Sequence, residues 1–146
     1  MKWQWKKFNE LSAQELYEIL ALRQQVFIVE QNCPYLDCDG LDQESWHLLG
    51  REKNALVAYL RILPPGLKYP EPSLGRVVTA ASVRGTGMGR TQTAEAIKKI
   101  EELWGKVPVR ISAQAYLEKF YASFGFVRAG ENYLEDDIPH AEMLRP

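Results

Sequence analysis

Three glycines alternate with other residues in the segment 83–90, which lies between strand-forming residues at 74–81 and a helical pattern that begins at Thr91. Glycine has no Cβ, so its backbone can adopt positive φ angles and can approach a ligand closely. The N–H groups of such a turn attract phosphate groups, and the partial positive charge of a helix N-terminus strengthens this attraction. The order of strand, glycine turn and helix therefore predicts a phosphate-binding loop.

Two well-known phosphate-binding loops do not fit this segment. The nucleoside-triphosphate loop requires lysine and then serine or threonine after its last glycine, whereas Gly89 is followed by Arg90 and Thr91. The dinucleotide fingerprint has the spacing G-x-G-x-x-G and an acidic residue after the next strand. Here the spacing is G-x-G-x-G, and the next predicted strand ends in Ala113 and Gln114. A tight strand-to-helix turn without a ligand remains an alternative.

The length of 146 residues is typical of a single domain, and 46% hydrophobic residues are enough for a substantial core. We therefore expect one domain over residues 1–146. The net charge of −1 lacks the basic surface that nucleic-acid binding requires. No apolar run approaches the roughly 20 residues of a membrane helix, and the N-terminus has no apolar signal region. We therefore expect a cytoplasmic protein with neither a membrane nor a nucleic acid as partner.

The chain has two cysteines, Cys33 and Cys38, and only two histidines. A disulfide between the two cysteines would close a very small loop, and a metal site would need further ligands. We therefore expect both thiols to be reduced, as is usual in cytosolic proteins, and we expect no metal.

The N-terminal third predicts a strand, a helix and an irregular acidic segment. Trp3 and Trp5 alternate with polar residues, as in a half-buried strand. A capping box at 12–15 predicts a helix from Ala13, and apolar residues then recur at helical spacing as far as position 27, with Arg23 as the only polar member. The segment 32–42 that follows is either a solvated loop or one wall of a cleft that attracts a cationic amine. The order of ligands in a calcium loop is absent from it.

The rest of the chain alternates between strands and helices. A β-hairpin is predicted from strands at 46–50 and 55–63 with a polar tip. The helix at 91–104 has an apolar face of Ala94, Ile97, Ile100 and Trp104, and a strand follows at 107–113. Strand, helix and strand in this order imply a parallel pair with a right-handed crossover. The last elements are a short helix at about 116–124, one strand that begins at 126–129 and continues through 131–135, and a final strand at 139–144.

The pattern Arg84-x-x-Gly87-x-Gly89 resembles the coenzyme A pyrophosphate loop of the GCN5-related N-acetyltransferase (GNAT) family. The segment 113–126, with Phe120-Tyr121 before a Gly-Phe pair, resembles that family's motif after the crossover. The segments 22–35 and 131–140 are similar to signatures of its ElaA-like branch. The resemblance covers nearly the whole chain. It implies an α/β (layered α+β) fold whose mixed central sheet has a splayed parallel strand pair and is flanked by helices.

This resemblance also implies an acetyl-CoA site. The loop would hold the pyrophosphate, the strand edge before it would pair with the pantetheine amides, and the second strand would form the opposite wall. Coenzyme A would therefore be bound by Val78, Thr79, Ala80, Arg84, Gly85, Thr86, Gly87, Met88, Gly89, Arg90, Gln114 and Tyr121. For both arginines, a purely solvated side chain is the alternative.

The family usually transfers an acetyl group to an amine by direct attack on the thioester, in a ternary complex and without an acyl-enzyme. Neither cysteine lies in a motif that would activate a nucleophile. Tyr121 aligns with the tyrosine that protonates the departing thiolate, so we expect it to be the general acid. The alternative for Tyr121 is a core residue, with Tyr116 as the next candidate acid. The backbone N–H near Ala80 is the expected oxyanion donor by resemblance.

The general base is less constrained. Histidine titrates nearest to neutral pH, which favours His47 or His140, and Glu30 lies in the N-terminal signature. A chain of water molecules could also accept the proton. The full set of candidates is Glu30, Asp39, Glu44, His47, Glu135 and His140.

The sequence predicts an acetyl-CoA-dependent N-acetyltransferase acting on a primary amine of a small molecule or a peptide. A coenzyme A-binding module without transferase activity is the main alternative, and a general nucleotide-phosphate binder is the second. Exposed sheet edges would allow a homodimer, although nothing in the sequence requires one.

Overall fold

Two four-stranded sheets form the centre of the fold in the computed structural model, which describes residues 1–146. The first sheet has the order β1-β2-β3-β4, with strands Lys2–Lys7, Trp46–Glu52, Ala55–Leu63 and Ser73–Thr79. The second contains β5 (Val109–Gln114), β6 (Val127–Arg128), β7 (Tyr133–Glu135) and β8 (Ile138–Arg145). Each of β5, β6 and β7 pairs with β8, and every pair in both sheets is antiparallel.

Three α-helices accompany the sheets, namely α1 (Ala13–Arg23), α2 (Met88–Trp104) and α3 (Glu118–Ala122). The predicted capping box is confirmed, because Ser12 and Glu15 satisfy each other's backbone N–H groups. The chain does not become irregular directly after α1. It continues as a π-helix from Gln24 to Glu30, with the wide turn that often occurs at functional sites. None of these helices is long and apolar enough to cross a membrane.

The core lies on both faces of the first sheet. On one face, α1 packs with Ile19 against Leu49, Tyr59 and Val78. On the other face, α2 covers a larger apolar cluster that also includes residues of β5, α3 and β8. Successive strand residues point to opposite faces of a sheet, so the alternation in β2 and β3 supplies both clusters. Helix α2 therefore bridges the two sheets.

The relation between β4 and β5 determines where a ligand can enter. The N–H of Arg110 donates to the carbonyl of Pro72 at 3.1 Å, which joins the two strands near their starts. No ladder of hydrogen bonds continues from there, and the strands belong to separate sheets. The pairing of β4 with β3 also shifts register around Tyr59 and Arg61, and such an irregularity bends a strand. The predicted layered α/β fold, in which two central strands splay apart, is confirmed, and all of its paired strands lie in two antiparallel sheets.

Several predicted boundaries are wrong. Helix α2 begins at Met88 rather than at Thr91, because Gly87 adopts a left-handed conformation (φ 82°) and starts the first turn directly after the glycine segment. Ala94 is exposed, whereas Gln92 and Thr93 occupy the buried face of the helix. The strands β6 and β7 are short and separate, with residues 129–132 between them outside any strand.

Candidate functional site

A cleft of about 930 Å³ opens between β4 and β5 where the two strands diverge. Residues 73–79 and 111–114 form its two walls, and the first turn of α2 and helix α3 close its inner side. The π-helix and the β7–β8 hairpin form the remainder of the rim. Of the glycine turn, only Gly89 lines this cleft, and Gly85, Thr86, Gly87 and Met88 lie outside its lining.

The glycine turn presents a row of free hydrogen-bond donors. Gly85 and Gly87 have φ angles of 80° and 82°, and a Cβ at either position would meet no neighbouring atom. Backbone conformation, rather than lack of space, therefore requires glycine here. The backbone N–H groups of residues 85–90 donate no hydrogen bond within the protein. Free N–H groups at the start of a helix, together with the helix dipole, are suited to binding a phosphate.

Arg84 lies between the glycine turn and the π-helix. Its guanidinium is 2.6 Å from the carboxylate of Glu30 and donates twice to the carbonyl of Thr79, at 3.0 and 3.2 Å. Both Arg84 and Glu30 line the cleft and are partly exposed. Two of the predicted site residues therefore form an ion pair with each other across the mouth of the cleft.

Arg90, in contrast, lies away from the cleft. Its guanidinium stacks 4.8 Å from the centre of the Phe124 ring and donates to the hydroxyl of Ser123. It is not among the residues that line the cleft. The structure therefore brings only one of the two predicted arginines to the groove.

The outer edge of β4 faces the cleft at Thr79. The Ala80 N–H donates to the carbonyl of Val57 at 2.8 Å, and Thr79 pairs in register with Ala58. Because hydrogen-bonding groups alternate sides along an antiparallel strand, the N–H and C=O of Thr79 point away from β3. The contacts from Arg84 to the Thr79 carbonyl agree with this direction.

This pairing corrects the expected role of Ala80. Its N–H is already committed to β3, so it is not free to stabilise an oxyanion, and Ala80 does not line the cleft. Val78 and Thr79 do line the cleft. The predicted strand edge is therefore present, with Thr79 as its accessible hydrogen-bonding residue.

Tyr121 enters the cleft from the buried side of α3. Only 5% of the residue is exposed, its ring makes edge contacts with Phe120 and Phe126, and its hydroxyl makes no hydrogen bond to protein. Burial raises the pKa of Tyr121, and the neighbouring Tyr116 raises the pKa further. The phenol therefore stays protonated at neutral pH. Tyr116 is 75% exposed at the rim of the cleft.

Gln114 ends β5 on the wall opposite Thr79. Its side-chain amide donates to the side chain of Gln31 at 3.4 Å, so it reaches across to the end of the π-helix. Both glutamines line the cleft. This position agrees with the predicted second wall.

His140 and Glu135 meet on the β7–β8 hairpin. His140 is buried, and its Nδ1 lies 2.7 Å from the carbonyl of Ile138, which can only accept a hydrogen bond. In the neutral ring the unprotonated nitrogen is therefore Nε2, and it lies 3.4 Å from the carboxylate of Glu135. Both side chains line the cleft, so this pair is suited to accepting a proton.

The other base candidates are less suited by their positions. His47 is buried outside the cleft between the Tyr59 hydroxyl and the Asp42 carbonyl, at 2.7 and 2.9 Å, and burial lowers its pKa. Glu44 is exposed and does not line the cleft. Asp39 lines the cleft, but it is paired with Arg61 at 2.5 Å.

The acidic segment belongs to a buried charge network rather than to a solvated loop. We call this set the arginine–aspartate network: Arg23, Arg61, Arg76, Asp37, Asp39 and Asp42. Asp42 accepts from both Arg23 and Arg61, at 2.8 and 2.9 Å. Burial alone would raise the pKa values of Asp42 and Asp39, but the guanidinium partners lower both, and they lower that of Asp39 strongly. Only Asp39 of the three aspartates lines the cleft.

Both thiols are free in the structure. Cys38 is exposed, and buried Cys33 lies with its Sγ 3.1 Å from the carbonyl of Asp136 in the β7–β8 hairpin. This contact joins the N-terminal segment to the far rim of the cleft. No group of three or more His, Cys, Asp or Glu side chains is arranged to hold a metal ion.

Two polar residues of the buried face of α2 were missed by the sequence reasoning. Gln92 and Thr93 are fully buried, and neither side chain has a hydrogen-bond partner. Gln92 lines the cleft and Thr93 does not. Hydrophobic periodicity could not identify them, because it selects apolar positions, and no charge or motif marks this pair.

Comparisons with known proteins agree with this architecture. A family model described as an acetyltransferase (GNAT) domain matches residues 9–145. An acyl-CoA N-acyltransferase from Pseudomonas aeruginosa has a crystal structure that superposes with a TM-score of 0.95, at 42% identity and with full coverage of both chains. The crystal structure of Escherichia coli ElaA gives a TM-score of 0.93 at 41% identity, covering 99% of each chain. A UPF0039 protein of Synechocystis is 48% identical, covering 99% of this chain and 94% of that protein.

Proposed function

Because this chain belongs to the GNAT acetyltransferase family, in its ElaA-like branch, we propose that it transfers an acetyl group from acetyl-CoA to a primary amine. The observation that carries the proposal is the cleft between β4 and β5. It is lined by the open strand edge at Thr79 and by Tyr121, whose hydroxyl has no protein partner, and Gly89 connects it to the free N–H groups of the glycine turn.

The glycine turn is suited to the pyrophosphate of coenzyme A. The N–H groups of Gly85, Thr86, Gly87, Met88 and Gly89 are free to donate to phosphate oxygens. Arg84 would add a charge-assisted hydrogen bond once it leaves Glu30 and Thr79. Arg90 remains a proposed contact only through its backbone N–H, because its side chain is held by Ser123 and Phe124.

The pantetheine arm is proposed to lie along β4 as an added strand. Thr79 offers its N–H directly, and its C=O becomes available when Arg84 turns toward the phosphates. Val78 supports this edge, and Gln114 faces it from β5. The binding of coenzyme A therefore requires one local exchange, in which the arm replaces the Arg84 side chain at the Thr79 carbonyl.

We propose direct attack of the amine on the thioester in a ternary complex. A new C–N bond forms, the C–S bond breaks, the amine loses a proton and the departing sulfur gains one. The phenol of Tyr121 would supply the proton to sulfur, because burial keeps it protonated and no protein group competes for its hydroxyl. No covalent acyl-enzyme is needed.

His140 is the proposed proton acceptor from the amine. Its side chain lines the cleft with Nε2 beside Glu135, and this carboxylate would stabilise the protonated ring. Glu30 is the second candidate, although its carboxylate is occupied by Arg84 in the free protein.

Thermal unfolding with acetyl-CoA tests the donor assignment, with ATP and NAD as controls. A ligand that binds only the folded state at 100 times its dissociation constant adds about 2.7 kcal/mol of stability. We expect a rise in melting temperature with acetyl-CoA and with coenzyme A, and none with ATP or NAD. No shift at saturating acetyl-CoA would overturn the proposal.

Replacing Tyr121 with phenylalanine tests catalysis separately from binding. We expect the Tyr121→Phe variant to lose about 100-fold or more in kcat for acetyl transfer, because general acid catalysis contributes roughly 10²–10⁴-fold. Its affinity for coenzyme A should stay near that of the wild type. The matched control is Tyr116→Phe, which removes a hydroxyl from the exposed rim of the same cleft.

Turnover measurements on the wild type and on Tyr121→Phe also distinguish an acetyltransferase from a coenzyme A-binding module. Unchanged turnover in Tyr121→Phe would assign the tyrosine to packing alone. Binding of coenzyme A without acetylation of any amine by the wild-type protein would instead favour a coenzyme A-binding module.

A further inference from the structure

Gln92 and Thr93 are neighbours on α2 and share an unusual condition. Both residues are fully buried, and the amide nitrogen and oxygen of Gln92 and the hydroxyl of Thr93 have no hydrogen-bond partner in the protein. Buried polar groups are nearly always paired, because leaving one unpaired is energetically unfavourable. Two such residues beside the glycine turn therefore require an explanation.

The two residues differ in what they face. Gln92 lies three positions after Gly89, on the same side of the helix, and both residues line the cleft. Thr93 is buried against the core and does not line the cleft. At roughly 1.5 Å per residue, Gln92 lies about 7.5 Å along the helix beyond Gly87. It therefore forms part of the cleft floor just below the free N–H groups of the turn.

The chemistry of the free atoms selects the ligand group. A carboxamide with both atoms unpartnered offers donors and an acceptor together. Phosphate oxygens at neutral pH and a thioester carbonyl only accept, so neither would satisfy the amide oxygen. A secondary amide offers an N–H and a C=O. The pantetheine arm, which is attached directly to the pyrophosphate of coenzyme A, carries two such amides.

On the basis of the proposed function, we propose that Gln92 hydrogen-bonds to the amides of the pantetheine arm and finds its partner only when the acyl donor is bound. Gln92 is then a specificity residue for the carrier arm rather than for the acetyl group. Its unpaired amide lowers the folding stability of the free protein, and its pairing with the ligand raises the affinity of the complex. The unpaired hydroxyl of Thr93 also lowers the folding stability of the free protein, but Thr93 contributes nothing to ligand binding.

Paired substitutions test this inference because the two residues share burial and differ in the cleft. Gln92→Leu and Thr93→Val each remove an unpartnered polar group and keep a similar volume. Gln92→Met serves as a second variant in case leucine does not pack. Each variant is compared with the wild-type protein in melting temperature without ligand. Dissociation constants are measured for coenzyme A, acetyl-CoA and adenosine 3′,5′-bisphosphate, which lacks the arm.

We expect Gln92→Leu and Gln92→Met to melt at least as high as the wild type without ligand. They should bind coenzyme A and acetyl-CoA about fivefold to tenfold more weakly, which corresponds to one lost hydrogen bond. Binding of adenosine 3′,5′-bisphosphate should not change. Thr93→Val should melt at least as high as the wild type. Its dissociation constant for each of the three ligands should equal that of the wild type.

Three results would overturn the inference while leaving the proposed function intact. Unchanged coenzyme A affinity in both Gln92 variants would mean that buried water satisfies the amide. Weaker binding of acetyl-CoA with unchanged binding of coenzyme A would place the contact on the acyl group. An equal loss for adenosine 3′,5′-bisphosphate would place it on the nucleotide. If the wild-type protein binds no coenzyme A, the proposed function and this inference fail together.

Discussion

The protein contains two sets of buried polar side chains that differ in their hydrogen bonding. One set is paired within the protein and the other is not. In the arginine–aspartate network, each aspartate accepts hydrogen bonds from two arginines. The pair Gln92 and Thr93 has no partner in the protein. Buried charges are tolerated only when they are paired, whereas a neutral amide can be left unpaired at a smaller loss. The charged set therefore belongs to the scaffold, and of the neutral pair only Gln92, which lines the cleft, is available for a ligand.

Position reinforces this difference. The network joins α1, the segment 37–42, β3 and β4, and so it fixes the N-terminal wall of the cleft to the first sheet. Gln92 lies on the opposite side, where α2 forms the cleft floor. One wall of the cleft is therefore held in place by ion pairs, and its floor carries an amide without a partner. Such a site is organised before its ligand binds.

Among the substitutions considered, replacing Asp42 in the arginine–aspartate network should lower folding stability the most. Asp42 is buried and bridges Arg23 and Arg61, so Asp42→Asn leaves two buried guanidinium groups short of negative charge. We expect a loss of about 3–5 kcal/mol in the free energy of unfolding, measured by urea denaturation.

Asp39→Asn is the matched control for this change. Asp39 also contacts Arg61, but about a quarter of its side chain is exposed, at 26%, so water can replace its charge. We expect a clearly smaller loss of stability. Equal losses for the two variants would contradict the view that burial makes Asp42 the critical member.

Low pH should reduce the stability that the arginine–aspartate network contributes, and it should not change the contribution of Gln92 and Thr93. The folded-state pKa values of Asp39 and Asp42 are depressed by their arginine partners, and in the unfolded chain they titrate near 4. Their contribution to stability is therefore fully present above about pH 5 and is lost as pH falls through 4 toward the lower folded-state values. Unfolding free energies at pH 5 and pH 3 measure this slope.

The variants sharpen the acid test. Asp39→Asn should lose less stability than the wild type between pH 5 and pH 3, because one depressed carboxylate is gone. Gln92→Leu and Thr93→Val should keep the wild-type slope, because neither side chain titrates. A wild-type slope in Asp39→Asn would remove the network from the explanation of acid sensitivity.

The pair of Glu30 and Arg84 lies between the two cases, since it is charged like the network and lies in the cleft like Gln92. Glu30→Gln should free Arg84 for the pyrophosphate. We expect coenzyme A to bind about twofold to fivefold more tightly by calorimetry, because a partly exposed ion pair contributes up to about 1 kcal/mol. Glu118→Gln, which breaks an exposed pair with Arg128 outside the cleft, should change nothing. Unchanged affinity in Glu30→Gln would mean that the pair does not compete with the ligand.

The sequence predicts the scaffold of the site better than its contents. The glycine turn and the strand before it follow from local patterns, since each depends on residues close together in the chain, whereas Tyr121 was selected by the resemblance to the family motif. The start of α2 was predicted three residues late, because Gly87 acts as the first cap and Met88 can then continue directly into the helix.

The network was not predictable for a different reason. Asp42 meets Arg23 and Arg61 across 19 residues in each direction, and no local pattern records such contacts. The sequence therefore left a solvated loop and a wall of a cleft as the two alternatives for the acidic segment, and predicted no buried network. The exposed Ala94 and buried Gln92 show the same limit on α2, where the tertiary packing of two sheets rather than apolar periodicity selects the buried face.

The splay of β4 and β5 has a consequence for how the molecule avoids self-association. A strand edge with unpaired N–H and C=O groups is a template for β-aggregation, and proteins usually cover, charge or shorten such edges. Here the edge at Thr79 is kept inside a groove beneath α2 and α3, with Arg84 on its carbonyl. We therefore expect the groove to admit a slender amide chain more readily than the edge of a neighbouring sheet. On the proposed function, this arrangement would keep one strand position for the ligand and protect it from pairing with a second copy of the chain.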